Sequence, residues 1–402
     1  MAEVVIIGAG ASGMAAAIAA AESGEHHVTL IERQSRVGRK LLSTGNGRCN
    51  LSNMNPSPGH YHGGNPAFSH YALTSWTPER VLEFFAGLGL MTVTEYGGRV
   101  YPLSNQASSV LDVLRFALEK PNIQLLTGTT VESVSRKGKG FSLSWEGGGI
   151  DCDRLIIACG GCAGSKLGGV MDGYKLLKSL GHSRTALHPS LTQIRTRPDI
   201  PRSMKGVKAQ AGVKALKGKN VIAESSGDLL FADNGVSGTV IFDISRAVAT
   251  GGEGIKLQID FFETLDKSAV EKYLYSRRDA RPAAPAKEIF SGALHSRVGL
   301  ALCKYVGINP ETPCGELSGD QLDSLAFASK TLHLEVTGVS GFESAQVTAG
   351  GISTAEFYPA TMESKFVPGL FACGEVLDVD GDCGGYNLQW AWSSGLLAGG
   401  SV

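Results

Sequence analysis

The residues best suited to chemistry stand near the start of the chain, where Gly8-Ala9-Gly10-Ala11-Ser12-Gly13 follows a β-branched run at 4–7 and precedes an Ala-rich stretch, 14–23, that Gly24 ends. A second β-branched run at 28–31 leads into Glu32, nineteen residues beyond Gly13. Strand, glycine turn, helix, strand and acid in that order make the βαβ unit that holds a dinucleotide. Gly8 permits the sharp turn, Gly10 lets backbone approach a pyrophosphate, and Gly13 lets the helix lie close on the sheet. The helix N-terminus adds unpaired N–H groups and the positive end of its dipole. Glu32 is placed to accept from the ribose hydroxyls of an adenosine.

These groups need a scaffold, and the rest of the chain reads as one interrupted by a second unit. Thr77-Pro78-Glu79 starts a helix that Gly87 ends, and 107–118 is another helix. Strands are expected at 123–126, 130–135, 141–145 and 155–158, with turns at 137–140 and 147–149, so a small β-meander precedes Cys159-Gly160-Gly161. From about 191 the texture changes. Eight cations (Arg195, Arg197, Arg202, Lys205, Lys208, Lys214, Lys217 and Lys219) face one acid, Asp199, among scattered apolar residues. Strand-like pieces follow at 229–231, 240–242 and 256–262, then helix-like ones at 268–276, 284–290, 300–306 and 318–327, with 336–340 near the end. The first texture returns at 344–348 and 370–373 and closes on a helix through Trp390 and Leu397. The expected fold is α/β: a discontinuous dinucleotide-binding Rossmann domain (1–190 and 342–402) with an inserted domain (191–341), β part first and helical part second.

Composition narrows the partners. Among 402 residues, 37 Lys+Arg against 38 Asp+Glu leave no overall bias toward a polyanion. The 53 glycines imply many turns or close approaches of backbone to a ligand. Eight scattered cysteines without a secretory cleavage pattern predict a reduced, cytoplasmic protein. Residues 4–21 carry no charge over a membrane-compatible length, but the spaced glycines and missing flanking cations argue for strand, turn and helix instead. No membrane segment and no metal site are expected.

Longer strings carry a resemblance. Gly38-Arg39-Lys40-Leu41-Leu42-Ser43-Thr44-Gly45-Asn46-Gly47-Arg48-Cys49-Asn50, Thr361-Met362-Glu363-Ser364-Lys365, and 374–381 with Gly384-Gly385-Tyr386-Asn387-Leu388-Gln389-Trp390-Ala391-Trp392 resemble the aminoacetone-oxidase-like, bile-acid-reductase-like group of bacterial FAD-binding flavoproteins. The resemblance spans nearly the whole chain and implies FAD in a glutathione-reductase-like domain. It places Gly8, Gly10, Ala11, Ser12 and Gly13 at the pyrophosphate, and Glu32 with Arg33 at the adenosine. Lys40 and the loop through Thr44, Gly45, Asn46 and Cys49 would run beside the cofactor, Val131 would hold adenine through its backbone, and Gly160 would form the second cofactor turn. Gly374, Glu375, Gly385, Asn387, Leu388 and Gln389 would line the ribityl chain and ring, where a helix starting near Asn387 would meet the negative charge that reduced flavin gathers. The chain departs from the family pattern at Asn105-Gln106, at Ala232-Asp233, at Gly238-Thr239 and after Gly161, places where substrate rather than FAD would be contacted.

The resemblance implies an FAD-dependent oxidoreductase exchanging hydride with a small organic substrate. One version takes electrons from NAD(P)H and reduces an activated C=C; another is an amine or alcohol oxidase passing electrons to oxygen. A third reading, from a different class, is a flavoprotein that grips RNA through 195–219, which the absence of interleaved aromatic residues argues against. His188 and Tyr386 are the candidate proton donors, set against packed roles for both. Cys159-Gly160-Gly161-Cys162 has the spacing of a redox dithiol, yet the same small residues are needed for the turn.

Overall fold

A computed structural model describes residues 1–402 as two compact units, 1–188 with 346–402 and 189–345. In the first, five parallel strands lie in the order Leu370–Ala372, Arg154–Ile157, Ala2–Ile7, His26–Glu32 and Ile123–Thr127. Parallel strands covered on both faces read as continuous apolar runs, and Val4, Val5, Ile6, Leu30, Ile31, Leu155 and Ile156 are all buried. The uncharged stretch 4–21 therefore divides between the central strand and the helix Ala11–Ala20, with Gly10 as its cap. That helix starts three residues earlier than the Ala-rich pattern indicated. No helix is long and apolar enough to cross a membrane.

The closing helix, Tyr386–Gly399, packs on the opening one through small residues. A Cβ on Gly395 would sit 2.4 Å from the Ser12 carbonyl oxygen, and one on Gly399 would sit 2.2 Å from that of Ala16. Helix backbones this close tolerate no side chain, which is how the end of the sequence is brought onto its first motif. The meander is an antiparallel sheet of Ser133–Lys137, Gly140–Trp145 and Gly148–Cys152. Its first strand starts later than 130, and the expected turn at 147–149 is largely strand. Gly148 and Gly149 are crowded by the Trp145 indole and the Leu143 carbonyl, at 2.7 and 2.6 Å from a Cβ.

The second unit is a closed six-stranded antiparallel barrel in the order Ile194–Thr196, Gly235–Ser237, Asn220–Ala232, Lys208–Lys217, Ile255–Asp260 and Leu332–Val339. The last strand pairs back to the first after three helices have intervened, so β and helical parts are interleaved rather than consecutive. Residues 240–242, expected as strand, open the helix Thr239–Thr250; Val240, Ile241, Ile244 and Val248 are its buried face, a helical period that a three-residue window hides. Residues 284–290 hold only a 3₁₀ turn, Ala286–Glu288, because Pro282 and Pro285 break any longer helix. The helix Gly319–Lys330 starts with a full capping box between Ser318 and Gln321.

Candidate functional site

The three glycines of the first turn differ in what surrounds them. Gly8 adopts φ +104, which only glycine holds comfortably, and a Cβ there would meet the Ala158 carbonyl oxygen at 2.6 Å. A Cβ on Gly13 would lie 1.8 Å from the Gly8 carbonyl oxygen, whereas one on Gly10 would meet nothing within 4 Å. Next to that open space, the first-turn N–H groups of Ala11, Ser12 and Gly13 have no intrahelical acceptor. Glu32 is held in place by the N–H groups of Ala9 (2.9 Å) and Gln34 (2.8 Å). Residues 128–129 bond back to the Glu32 and Gln34 carbonyls, which carries Val131 toward the same strand end. Arg33 lies 3.6 Å from Asp172.

Lys40, Glu375 and Gly160 converge at the second turn. Lys40 Nζ pairs with Glu375 Oε2 at 2.7 Å, while Glu375 Oε1 accepts the Thr348 N–H at 2.7 Å. Thr348 Oγ1 in turn accepts the Ala163 N–H at 2.9 Å. Gly160 has φ +69 and open space where a Cβ would be. The Thr44–Cys49 loop winds through left-handed backbone at Gly45, Asn46 and Cys49, and the Cys49 N–H bonds the Thr44 carbonyl at 2.9 Å. Gly374 is pinned by Ser394 Oγ on its N–H (2.9 Å) and Trp390 Nε1 on its carbonyl (3.1 Å), against Ser12. Sequence reasoning missed Thr348, Ser394 and Trp390; their roles depend on chain pairs that meet only in the fold.

At the closing helix, Gly385 is the cap at φ +102 and the helix begins at Tyr386, one residue before the expected start. The N–H groups of Asn387 and Leu388 lie in its unbonded first turn. The Asn387 side chain is committed elsewhere, with Nδ2 donating to the Gly381 carbonyl (2.7 Å) and Oδ1 accepting the Gly381 N–H (2.9 Å). Gln389 is buried and saturated by Ser52 Oγ, the Trp76 carbonyl and Ser393 Oγ. These two amides brace the helix start and leave its first-turn N–H groups unbonded. Tyr386 is buried, stacked on His60 at 4.2 Å and edge-on to Tyr61 at 5.9 Å. His188 opens a short strand at the end of the first unit, away from the glycine turn in sequence and with no side-chain hydrogen bond.

Two other constellations have chemical outlines but closed hydrogen bonding. His182 bridges Glu356 Oε2 (2.7 Å from Nδ1) and Ser364 Oγ (3.0 Å from Nε2), the order of a nucleophilic triad. Ser364 is buried and its oxygen also accepts the N–H groups of Phe366 and Val367, so it is a fastener with no lone pair to spare. Cys159 and Cys162 are unpaired thiols, and burial pushes both up from the ordinary thiol range, against thiolate chemistry. Burial likewise pushes Cys49 up to about 12.

Four of the eight cations in the basic stretch pair with nearby carboxylates. Arg197 pairs with Glu335 (2.7 Å), Lys205 with Asp233 (2.6 Å), Lys208 with Asp228 (2.8 Å) and Lys214 with Glu224 (3.2 Å). Between 189 and 345 there are nineteen Lys and Arg against eighteen Asp and Glu.

The open space at Gly10 and Gly160, the bare helix N-termini and the anchored Glu32 fit FAD. Along its length the chain matches the model of the HI0933-like protein Rossmann domain, over residues 2–401. It is 41% identical over 398 residues to the 3-dehydro-bile acid delta(4,6)-reductase of Clostridium scindens, covering 98% of this chain and 97% of that one. It is 31% identical over 397 residues to the ribosomal RNA dihydrouridine synthase of Escherichia coli, covering 98% and 96%. Among solved structures, the 3-ketosteroid delta1-dehydrogenase of Sterolibacterium denitrificans shares the fold at TM-score 0.53 and 13% identity, over 99% and 98% of the two chains. Matched from end to end by the family model and by relatives above 30% identity, the chain belongs to the HI0933-like family of Rossmann-domain proteins.

Proposed function

We propose that this FAD-dependent oxidoreductase uses NAD(P)H to saturate a carbon–carbon double bond conjugated to a carbonyl in a small organic substrate. The observation that carries this reading is the 41% identity, end to end, to a reductase named for the 4 and 6 double bonds of a 3-dehydro-bile acid. Making dihydrouridine is the same reaction class, since the 5,6 bond of uracil is also conjugated to a carbonyl. Both names describe reductions, which favours a reductase over an amine or alcohol oxidase. A small substrate is favoured over RNA because four of the eight cations at 195–219 are paired with carboxylates and the unit that carries them has nearly as many acids as cations, leaving little of the unmatched positive field that phosphate binding needs.

FAD, when bound, supplies two-electron hydride chemistry. The chain's own residues do the rest. Ala11, Ser12 and Gly13 bind pyrophosphate through N–H groups, Glu32 orients the adenosine ribose, and Lys40 with Glu375 fixes the turn between them and the closing helix. The N–H groups of Asn387 and Leu388 hold negative charge at the ring end without solvent reorganisation. In the test, anaerobic protein is reduced with NADPH and then mixed with a 3-oxo-Δ4,6 steroid acid, with a ribosomal RNA fragment, or with air. Rapid return of flavin absorbance with the dienone, and not with RNA, is expected. Reoxidation only by RNA or only by oxygen would replace this reading with one of the other two.

A further inference from the structure

His60, His62 and Asp382 form a cluster that none of the cofactor-binding roles uses. The two-residue strand Tyr61–His62 pairs antiparallel with Asp380–Gly381, and Asp382 follows directly. His60 ends the 3₁₀ turn Pro58–His60 and His62 lies in the strand that follows, and the two side chains reach the same carboxylate, one per oxygen. His60 Nδ1 lies 2.9 Å from Asp382 Oδ2, and His62 Nε2 lies 2.7 Å from Oδ1. The Asp382 N–H also donates to the His60 carbonyl at 3.0 Å, and Asn387 Nδ2 donates to the Asp382 carbonyl at 3.2 Å, so the loop is held on both sides.

A carboxylate only accepts, which places protons on His60 Nδ1 and His62 Nε2. The outward atoms, His60 Nε2 and His62 Nδ1, have no partner in the protein, and the two side chains are about a third exposed (32% and 33%). The His60 ring is also stacked on Tyr386 in the first turn of the closing helix, which fixes its plane. Burial opposes ionisation of Asp382, but the hydrogen bonds from His62 and His60 outweigh it and keep the carboxylate below its ordinary range. The one carboxylate thus lies between two imidazole rings, one on each oxygen. The other ionisable groups here are Tyr61, Tyr386, Asp380 opposite His62 in the strand pair, Asp378 against Gly63 and Gly64, Cys383 next to Asp382, and Arg99 beside Gly384.

We propose that the His60–Asp382–His62 cluster is the proton donor of the reductase, protonating the carbon next to the carbonyl after hydride has reached the far carbon of the double bond. The inference rests on the reductive reading above. Two electrons come from reduced flavin, reloaded by the nicotinamide donor, and enter with the hydride as the C–H bond at the far carbon. The displaced π pair rests on the near carbon and the carbonyl oxygen. That pair takes the outward imidazolium proton, the N–H bond breaks, and its electrons remain on nitrogen. Asp382 stays ionised throughout, and solvent returns the proton.

The experiment compares holoenzyme of the wild type with His60→Gln, His62→Gln, the double variant and Asp382→Asn. Four quantities are measured: flavin reduction by NADPH, reoxidation by the dienone against pH, facial selectivity of deuterium at the near carbon in D₂O, and affinity for 4-nitrophenol as an enolate mimic. In the double variant, reoxidation should slow about 10²–10⁴-fold, the usual worth of a positioned acid, and its alkaline limb should vanish. Deuterium should then arrive on both faces, and 4-nitrophenol should bind at least tenfold more weakly, with NADPH reduction unchanged. Asp382→Asn should follow in the same direction. A double variant with the wild-type pH profile, facial selectivity and 4-nitrophenol affinity overturns the proposal. A wild type that no conjugated ketone reoxidises overturns the reductive reading instead, so the two failures are distinct.

Discussion

At the scale of single residues, Gly10 and Gly13 separate binding from folding. A side chain at Gly10 meets no protein atom within 4 Å and its φ of −81 suits any residue, so Gly10→Val should leave the melting temperature of cofactor-free protein within a few degrees. The same branch fills the pyrophosphate space, and the purified variant should be colourless. Gly13→Ala drives a methyl into the Gly8 carbonyl, and overpacking of that kind costs about 1–3 kcal/mol or more. Its thermal unfolding should shift markedly with or without FAD. If Gly10→Val retains FAD, the pyrophosphate lies elsewhere. His182 supplies a pH-dependent counterpart. Burial holds its imidazole below the ordinary histidine range despite the Glu356 hydrogen bond. The unfolded chain therefore binds protons more readily just below neutrality, and stability is lost as pH falls from the ordinary histidine value toward the lower folded one. Thermal melts at pH 7.5 and 5.5 should show this drop, and His182→Asn, though less stable, should show less of it.

Elements show why some of the site was legible and some was not. The glycine turn, Glu32 and the closing helix could be read because their chemistry is local: the residues lie on one strand–turn–helix unit or at one helix start. Local windows failed where a longer pattern or a distant partner decided. Val240–Phe242 is apolar enough for a strand, but its period completes only at Val248. The amides of Asn387 and Gln389 hold Gly381 and Ser52, partners whose proximity no spacing reveals. Nor could sequence alone join His60 to Asp382, 322 positions apart. Helix contact gives the test at this scale. Gly395→Ala places a methyl 2.4 Å from the Ser12 carbonyl and should cost about 1–3 kcal/mol, together with part of the FAD content, because Ser12 belongs to the pyrophosphate turn. Gly87→Ala, with open space around it at a helix end, should be neutral or stabilise slightly. Equal losses from both would mean that the close approach contributes nothing.

For the whole molecule, the second unit has its own buried core, centred on Phe231, Leu257, Ile259, Leu302 and Leu325, and no open sheet edge in its barrel. A fragment of residues 189–345 is expected to unfold cooperatively by circular dichroism; a non-cooperative melt would show that it needs the rest of the chain. The balanced charge of this unit also predicts that RNA affinity, where any is detected, is weak and changes little between Lys205→Ala and wild type.

The strand order of the first unit has a consequence for how the protein is made. Its edge strand, Leu370–Ala372, and the helix Tyr386–Gly399 that presses on Ser12 are synthesised after the whole barrel. A ribosome-bound chain will thus complete residues 189–345 while 1–188 still waits for its missing sheet edge and covering helix. Chains stalled before residue 370 should resist protease across the barrel, remain sensitive in the first 188 residues, and carry no flavin until residues 370–399 have emerged.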